Sequence, residues 1–198
     1  MTLESLYEPK VVVPVDAITA TSRTKLTVED YRQLPEDGKR YEILEGELAV
    51  TPAPGTRHQS VVLNLASLLR DFVKTKNLGN VFIAPLDVVL SPHTVLQPDL
   101  LFVSKDRQSI VQADGIYGAP DLVVEVLSPS TAERDRGLKR RLYLRYGVSD
   151  VWLVDPEART LEVDSGETTR VLKGARLTLP SDSFLGGLEL EEQELFGP

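Results

Sequence analysis

The chain has 198 residues, of which 41% are hydrophobic and 26% are charged, as expected for one well-filled globular domain. It contains no cysteine, which excludes a disulfide framework, a thiolate metal site and a cysteine nucleophile. The formal net charge of −8 argues against a protein that coats nucleic acid through many phosphate contacts.

The first 24 residues show no sustained hydrophobic period and contain Pro9 and Pro14. We therefore predict an extended arm over 1–24 and a single domain over 25–198. The arm has no basic start followed by an apolar run, so it is not a signal peptide, and no apolar stretch approaches the ~18 residues of a membrane span. A cytoplasmic protein without membrane contact is expected, and the arm could build a homodimer.

The domain opens with a short helix and a hairpin. Thr27–Asp30 has the form of a capping box, and the helix that it starts ends at Pro35. β-prone runs flank Glu45 and Gly46, where glycine can supply the positive φ of a tight turn. The hairpin is followed by a proline-rich loop.

The clearest helix is predicted over 57–74, where apolar residues recur at three- and four-residue steps. Thr56 and Gln59 fit a capping box at its start, which places His58 in the first turn. Three strands follow, with the sequences NVFIAPLDVVL, VLQPDLLFV and APDLVVEVL.

A second helix is predicted over 131–146, with Ser130 and Glu133 as its cap and Gly147 at its end. Gly137 inside it costs about 1 kcal/mol relative to alanine, so an irregular first turn is expected. The strand DVWLVDP and a C-terminal hairpin complete the chain. The order helix, three strands, helix, strand predicts an α/β domain with a central mixed sheet, an added N-terminal hairpin and C-terminal strands.

Glu125 is an anomaly in the strand DLVVEVL, which otherwise reads as buried on both faces. An unpaired buried charge costs several kcal/mol, roughly. Asp99 opens the preceding strand directly after Pro98, 26 residues earlier, and the two strands could lie side by side. Paired carboxylates suit Mg²⁺ or Mn²⁺. The alternative is a structural ion pair between Glu125 and a lysine or arginine.

Lys139 lies on the following helix, four residues after Asp135 and four before Tyr143, so the three share a face. A lysine beside a metal site can orient the attacking water or stabilise phosphate charge, although an exposed Asp–Lys pair is the common outcome of this spacing. His58 is a candidate ligand or base, with a surface histidine as the alternative. Asp87 is a candidate outer carboxylate. No nucleotide-binding, zinc-protease or serine-hydrolase motif is present.

Four segments together resemble the Uma-type restriction endonuclease family, a former domain of unknown function within the PD-(D/E)XK nuclease superfamily. They are RYEILEGELAV, TPAPGTRHQSVV, LQPDLLFV and DLVVEVLSPSTAERDRGLKRRLYLRYGVSDVWLVDP. The resemblance runs over roughly residues 27–163. It implies a restriction-endonuclease-like core of order αβββαβ, as the predicted elements also indicate.

The resemblance also implies a catalytic site. Asp99 and Glu125 match the two acids of the superfamily, and Leu127 stands where a lysine is expected two residues after the second acid. Lys139 is then the lysine supplied from the neighbouring helix, and Glu45 and His58 complete the pocket. The implied chemistry is phosphodiester hydrolysis of DNA with Mg²⁺ or Mn²⁺ held by Asp99 and Glu125. The residues expected to contact the substrate are Arg140, Arg141, Tyr143 and Arg145.

Two alternatives remain open from the sequence. The acidic composition and Leu127 favour a binding or assembly module that has kept a nuclease core without activity. A metal-dependent hydrolase of a smaller phosphoester is the other alternative.

Overall fold

The structure is a computed structural model that describes residues 25–179, 183 and 185–197, and the arm predicted over 1–24 lies outside them. Its helices are α1 (Val28–Tyr31), α2 (Thr56–Lys76), α3 (Ala132–Arg134), α4 (Arg140–Arg145) and α5 (Glu192–Phe196), with a 3₁₀ turn (Lys105–Ile110) and a π-helical segment (Asp135–Lys139). No helix among these residues is long and apolar enough to cross a bilayer.

The strands follow in chain order: β1 (Arg40–Leu44), β2 (Glu47–Thr51), β3 (Gly79–Ile83), β4 (Val88–Ser91), β5 (Thr94–Leu96), β6 (Leu100–Ser104), β7 (Val111–Gln112), β8 (Gly115–Tyr117), β9 (Leu122–Val126), β10 (Asp150–Asp155), β11 (Thr160–Asp164), β12 (Thr169–Leu172), β13 (Arg176–Thr178) and β14 (Glu189–Glu191). The C-terminal strands β13 and β14 form a small antiparallel pair.

The central sheet has the order β12-β11-β10-β9-β6-β3. Strands β9 and β10 are parallel, and the other neighbours are antiparallel. The parallel pair requires a crossover, which the helical stretch between these two strands provides. The sequence of elements α2, β3, β6, β9, helix and β10 is the predicted αβββαβ order, so the mixed α/β core is confirmed.

A second sheet, of order β2-β1-β5-β4-β8-β7, was not predicted. Two of the three predicted long strands are each divided between the sheets, at Pro85 and at Pro98. Proline has no backbone N–H to give to a ladder, so a strand interior is interrupted there. The predicted N-terminal hairpin exists, with positive φ at both Glu45 and Gly46, but it is part of this second sheet.

The helix starts differ from the predicted caps, apart from the Thr27–Asp30 capping box, which is present. Gly55 caps α2, and Thr56 is already helical, so the predicted box with Gln59 is wrong. The second helical stretch begins at Thr131 without a side-chain cap, and the Ser130 hydroxyl pairs with Ser128 instead.

Hydrophobic packing covers both faces of the central sheet. On one face, α2 and α5 bury residues that include Leu65, Val124 and Trp152. On the other, Val123 and Leu127 pack against α4 and against the start of the second sheet. Burying each such side chain contributes roughly 1.5–3 kcal/mol. Glu125 shares the second face with Val123 and Leu127, which carries its carboxylate under α4.

Candidate active site

A cavity of about 210 Å³ lies where the ends of β1, β6 and β9 meet the start of α2 and the π-helical segment. Its charged lining residues are Arg40, His58, Asp99, Glu125, Arg134, Asp135 and Lys139. Both acids predicted from the sequence and the predicted lysine therefore lie in one cavity.

Asp99 and Glu125 are neighbours across two strands. In the antiparallel register of β6 and β9, Leu100 pairs with Val124, so the next position outward places Asp99 opposite Glu125. Residues directly opposite each other in an antiparallel pair point to the same side of the sheet. Both side chains are buried, with 5% and 3% of their surfaces exposed.

Glu125 is held by two donors. Its Oε1 atom lies 2.6 Å from the Lys139 Nζ and accepts a hydrogen bond of 2.6 Å from the Tyr143 hydroxyl. Burial raises the pKa of Glu125, Lys139 lowers it, and the carboxylates of Asp135, Asp99 and Glu42 raise it; the net result is a pKa of about 8. The fold therefore favours the protonated form of Glu125 more than water favours that of an exposed glutamate.

Lys139 is buried, with 2% of its surface exposed. Its ammonium group lies 2.6 Å from Glu125, 2.8 Å from the Glu42 Oε1 and 3.9 Å from Asp135. Burial lowers the pKa of a lysine, but these carboxylates outweigh burial and raise it above its usual value. The predicted shared face of Asp135, Lys139 and Tyr143 is confirmed, and the exposed Asp–Lys pair is excluded by this burial.

Glu42 is a component of the site that the sequence analysis missed. It is 1% exposed, and it accepts a hydrogen bond of 2.8 Å from the Gln97 backbone N–H besides contacting Lys139. Burial raises the pKa of Glu42, but Lys139 and the Gln97 hydrogen bond outweigh it, so the net shift is downward. Like Glu125, Glu42 is a lone acid in an apolar strand, and that signal could have found it.

Asp99 has three partners. Its Oδ2 atom accepts a hydrogen bond of 2.9 Å from the Val126 backbone N–H and lies 3.1 Å from the His58 Nε2. Its Oδ1 atom lies 3.2 Å from the Arg40 guanidinium. Burial raises the pKa of Asp99, but His58, Val126 and Arg40 together lower it. His58 reaches Asp99 because it lies in the first turn of α2, as predicted, and it is not a surface residue.

Arg134 is a second arginine of the cavity that the sequence analysis did not select. It donates 2.9 Å to the Thr51 hydroxyl and lies 3.6 Å from the Glu42 Oε2, while its Nε is buried without a hydrogen-bond partner among the described residues. Arg134 therefore joins the hairpin β1–β2 to the start of the crossover helix.

Glu45 does not lie in the cavity, contrary to the prediction. Glu45 lies at the tip of the hairpin with a φ of 54°, and its carboxylate pairs with Arg145 on the surface. Glu42, three residues earlier, occupies the position in the site that the sequence analysis gave to Glu45.

The residues predicted to contact the substrate are dispersed. Tyr143 is fully buried and donates to Glu125, so it cannot reach a substrate directly. Arg140 pairs with Asp164, and Arg145 pairs with Glu45. Arg141 is exposed on α4, and Arg145 also keeps 57% of its side chain exposed despite its pairing with Glu45.

Asp87 is not in the cavity. It accepts hydrogen bonds of 2.7 Å from the Tyr31 hydroxyl and from the Gln97 side chain. Gln97 in turn contacts Arg40 and Glu42, so Asp87 is connected to Asp99 through Gln97 and Arg40.

The donor set of the cavity suits a hard divalent cation. The residues described by the structure contain no group of three or more histidine and carboxylate ligands. Mg²⁺ is commonly bound by one or two carboxylates and otherwise by water and substrate phosphate, so Asp99 and Glu125 meet its requirement. The Glu125 contacts named above all fall on Oε1, so its other carboxylate oxygen remains for a ligand.

Comparisons with known proteins identify the family and the fold. A family model, Uma2, described as "Putative restriction endonuclease", matches residues 28–193. The chain belongs to the Uma2 family. No curated protein gives a significant match. Among solved structures, the chain is similar to a putative nuclease belonging to DUF820 from Anabaena variabilis, with 25% sequence identity and a TM-score of 0.74. That match covers 86% of this chain and 97% of the other.

The Uma2 match and the structural match confirm the family resemblance and the restriction-endonuclease-like fold. The family match over residues 28–193 includes every cavity residue named above. Family and fold are therefore both nuclease-like.

Proposed function

We propose that this Uma2 member is a metal-dependent endonuclease that hydrolyses the phosphodiester bonds of DNA. The observation that carries the proposal is the meeting of Asp99, Glu125 and Lys139 in one cavity. Lys139, twelve residues beyond the usual position of the lysine, still reaches the second acid, with 2.6 Å between Nζ and Oε1. The substitution at Leu127 therefore does not remove the lysine from the site.

Asp99 and Glu125 would hold Mg²⁺ or Mn²⁺. When bound there, the ion supplies a Lewis acid that polarises the phosphoryl oxygen and acidifies water. The protein prepares Asp99 for this role, because Arg40, His58 and the Val126 N–H fix its carboxylate and keep its pKa low. Glu125 is oriented by the Tyr143 hydroxyl.

Lys139 supplies a fixed positive charge beside the reacting phosphate. Its ammonium group is held charged by Glu125, Glu42 and Asp135, and it needs no rearrangement to stabilise negative charge as this develops. The same group can orient an attacking water. Glu42 lies against Lys139 and Arg134, so we assign it the role of positioning both cations.

His58 is a candidate proton carrier. Its Nε2 contacts Asp99, while its Nδ1 is buried without a hydrogen-bond partner in the described part of the chain. One ring nitrogen of a neutral imidazole donates and the other accepts. Asp99 therefore favours the tautomer with the proton on Nε2, which leaves Nδ1 as the acceptor.

The acidic chain needs local positive charge to approach DNA. Arg141 provides it on the nearby helix α4, whereas Arg40, Arg134 and Lys139 in the cavity are each paired with a carboxylate. A homodimer would bring two such surfaces together, and the arm over 1–24 is the segment that we propose to join them. Light scattering tests that role: a truncated chain beginning at Lys25 should become monomeric, and a dimer would exclude it.

Cleavage of supercoiled plasmid and of single-stranded DNA tests the function. We expect nicking in Mg²⁺ or Mn²⁺, none in EDTA, and a loss of about 100-fold or more in Glu125→Gln. The matched control is Glu47→Gln, the same change at an exposed residue of β2, which should nick as the wild type does. Equal activity in Glu125→Gln would identify a contaminant and exclude the proposed site.

A binding module with an inactive nuclease core is the second candidate. The observation in its favour is that the cavity acids already have cationic partners within the protein, Arg40 for Asp99 and Lys139 for Glu125. Isothermal calorimetry separates the candidates. Heat from Mn²⁺ binding that disappears in Asp99→Asn supports the enzyme, whereas absence of metal binding supports the module.

Hydrolysis of a small phosphodiester without any cleavage of DNA would indicate a third function, that of a hydrolase of smaller phosphoesters.

A further inference from the structure

A second and larger cavity, of about 590 Å³, lies between α1 with its following turn and the second sheet. Three tyrosines, Tyr31, Tyr41 and Tyr117, contribute to its walls, and Asp87 and Gln97 contribute polar groups. Arg32 and Lys39, both exposed, also line it. None of these residues has a role in the catalysis proposed above.

The second cavity adjoins the first. Arg40 lines the catalytic cavity, and the residues on either side of it, Lys39 and Tyr41, line the second. Successive side chains of a strand point to opposite faces, and consecutive Cα atoms are about 3.8 Å apart. The start of β1 is therefore the partition between the two cavities. Gln97 and Asp99 lie on either side of Pro98 between β5 and β6, and they line the second cavity and the catalytic cavity, respectively.

Gln97 connects the cavities through hydrogen bonds. Its side-chain amide donates 2.7 Å to Asp87 and 3.1 Å to the Tyr31 hydroxyl. Its carbonyl oxygen accepts 2.6 Å from Arg40, the arginine that contacts Asp99. Gln97 is therefore hydrogen-bonded to Arg40, which contacts the catalytic acid Asp99. A ligand that contacts Asp87 and Gln97 lies next to this chain of contacts.

The chemistry of the lining points to an aromatic ligand that carries a hydrogen-bond donor. Tyrosine rings stack with nucleobases. Asp87 accepts from Tyr31 and Gln97 through Oδ1 alone, and an ionised carboxylate has about four acceptor sites, so its Oδ2 remains for a donor. Exocyclic amino groups of adenine and cytosine are such donors, whereas thymine presents a carbonyl oxygen at the same edge.

We propose that the second cavity binds an unstacked nucleobase of the nucleic acid whose phosphate occupies the catalytic cavity, with Asp87 selecting a base that bears an exocyclic amino group. The inference rests on the proposed function for the identity of the polymer. Adenine, cytosine and guanine bear such a group, and thymine does not.

The test is calorimetric titration of the full-length Glu125→Gln protein, in which cleavage is expected to be about 100-fold slower, with single-stranded dA, dC and dT hexamers. We expect the adenine or the cytosine hexamer to bind about tenfold more tightly than the thymine hexamer. In Asp87→Asn, the amide oxygen still accepts from Gln97 and Tyr31, so Nδ2 faces the cavity as a donor. The preference should therefore shift toward thymine. The control Asp71→Asn, at an exposed residue of α2, should keep the original order.

Stacking is tested at Tyr117 in the same background. Tyr117→Ala should weaken binding of every hexamer by about tenfold, while Tyr117→Phe, which keeps the ring, should not. Equal binding of the three hexamers, no binding at all, or a preference unchanged in Asp87→Asn would each overturn the inference, even if wild-type protein nicks plasmid. Base preference without any nicking would instead overturn the proposed function and leave the nucleobase site standing.

Discussion

The Glu42 Oε1 lies 2.8 Å from the Lys139 Nζ, and this contact joins the second sheet to the crossover helix of the nuclease core. The same nitrogen contacts Glu125 of the central sheet. Lys139 is therefore clamped between acids from two different sheets. The second sheet therefore contributes a residue, Glu42, to the site.

Glu42→Gln should destabilise the protein by about 3 kcal/mol, because one partner of a buried ion-pair network is removed while Lys139 and Arg134 stay. Urea unfolding monitored by circular dichroism measures the change. Glu47→Gln removes the same charge from an exposed residue of the same hairpin and should stay within about 0.5 kcal/mol of wild type. Equal stability of the two variants would contradict the role of Glu42.

Glu125 should give the protein a pH-dependent stability with a definite sign. The ordinary pKa of a glutamate is 4.5, and the pKa of Glu125 in the fold is about 8, so the folded state binds more protons than the unfolded state between these values. This contribution to stability is complete below pH 4.5 and is lost as the pH rises through 8.

Urea unfolding of the wild type and of Glu125→Gln at pH 5 and at pH 9 isolates the contribution of Glu125 to the free energy of unfolding. The free energy of unfolding of the wild type, relative to that of Glu125→Gln, should be lower at pH 9 than at pH 5, because glutamine does not titrate. A difference that stays constant or grows with pH would refute the raised pKa. Metal binding near neutral pH should also release protons, and calorimetry in buffers of different ionisation enthalpy detects that release.

Lys139→Met should separate metal binding from catalysis. Removing the ammonium leaves Glu42, Glu125 and Asp135 together without their shared counter-ion, so we expect a loss of about 3–5 kcal/mol in stability. Mg²⁺ should then raise the melting temperature of the variant by more than that of wild type, because bound ligand stabilises the folded state.

Plasmid nicking by the same Lys139→Met protein, assayed below its melting temperature in Mg²⁺, should be reduced by about 100-fold or more. Retained nicking would mean that Lys139 is only a structural counter-ion. Loss of Mg²⁺ stabilisation along with nicking would mean that Lys139 is needed to form the metal site itself.

Gly137→Ala and Gly147→Ala should have opposite effects. A Cβ at either position would meet no atom within 4 Å, but Gly147 has a φ of 94° while Gly137 lies in the helical π segment. Alanine at 137 should stabilise the protein by about 0.5–1 kcal/mol. Alanine at 147 should destabilise it by about 1 kcal/mol or more. Thermal unfolding compares the two, and destabilisation by Gly137→Ala would show that the π segment requires glycine.

Local patterns predicted most of the core. Alternation identified the β9 strand, and helical spacing placed Asp135, Lys139 and Tyr143 on one face. The pair of Asp99 and Glu125 followed from strand order and a short loop. These inferences succeed because they depend on neighbours in the sequence, where periodicity reports directly on geometry.

The second sheet could not be predicted in the same way. Strand pairing across the sheet, such as Ile43 with Val95, joins residues far apart in sequence, and no local period encodes the partner. Glu42 was missed for this reason, since its role in the site depends on its contact with Lys139, which lies 97 positions later. Glu45 was chosen instead, but a hairpin tip with positive φ directs the chain toward solvent and away from the site.

The π-helical segment, Asp135–Lys139, carries a consequence for how such sites arise. A π turn contains one residue more than an α turn, as a helix would after a single-residue insertion. Each residue of an α-helix turns the chain by about 100°, but the wider π turn accommodates the extra residue, so the residues on either side keep their orientation. Descent by insertion and deletion can thus move a lysine along a chain while the fold returns it to the same acid, and fixed spacing between the two is a poor guide to ancestry.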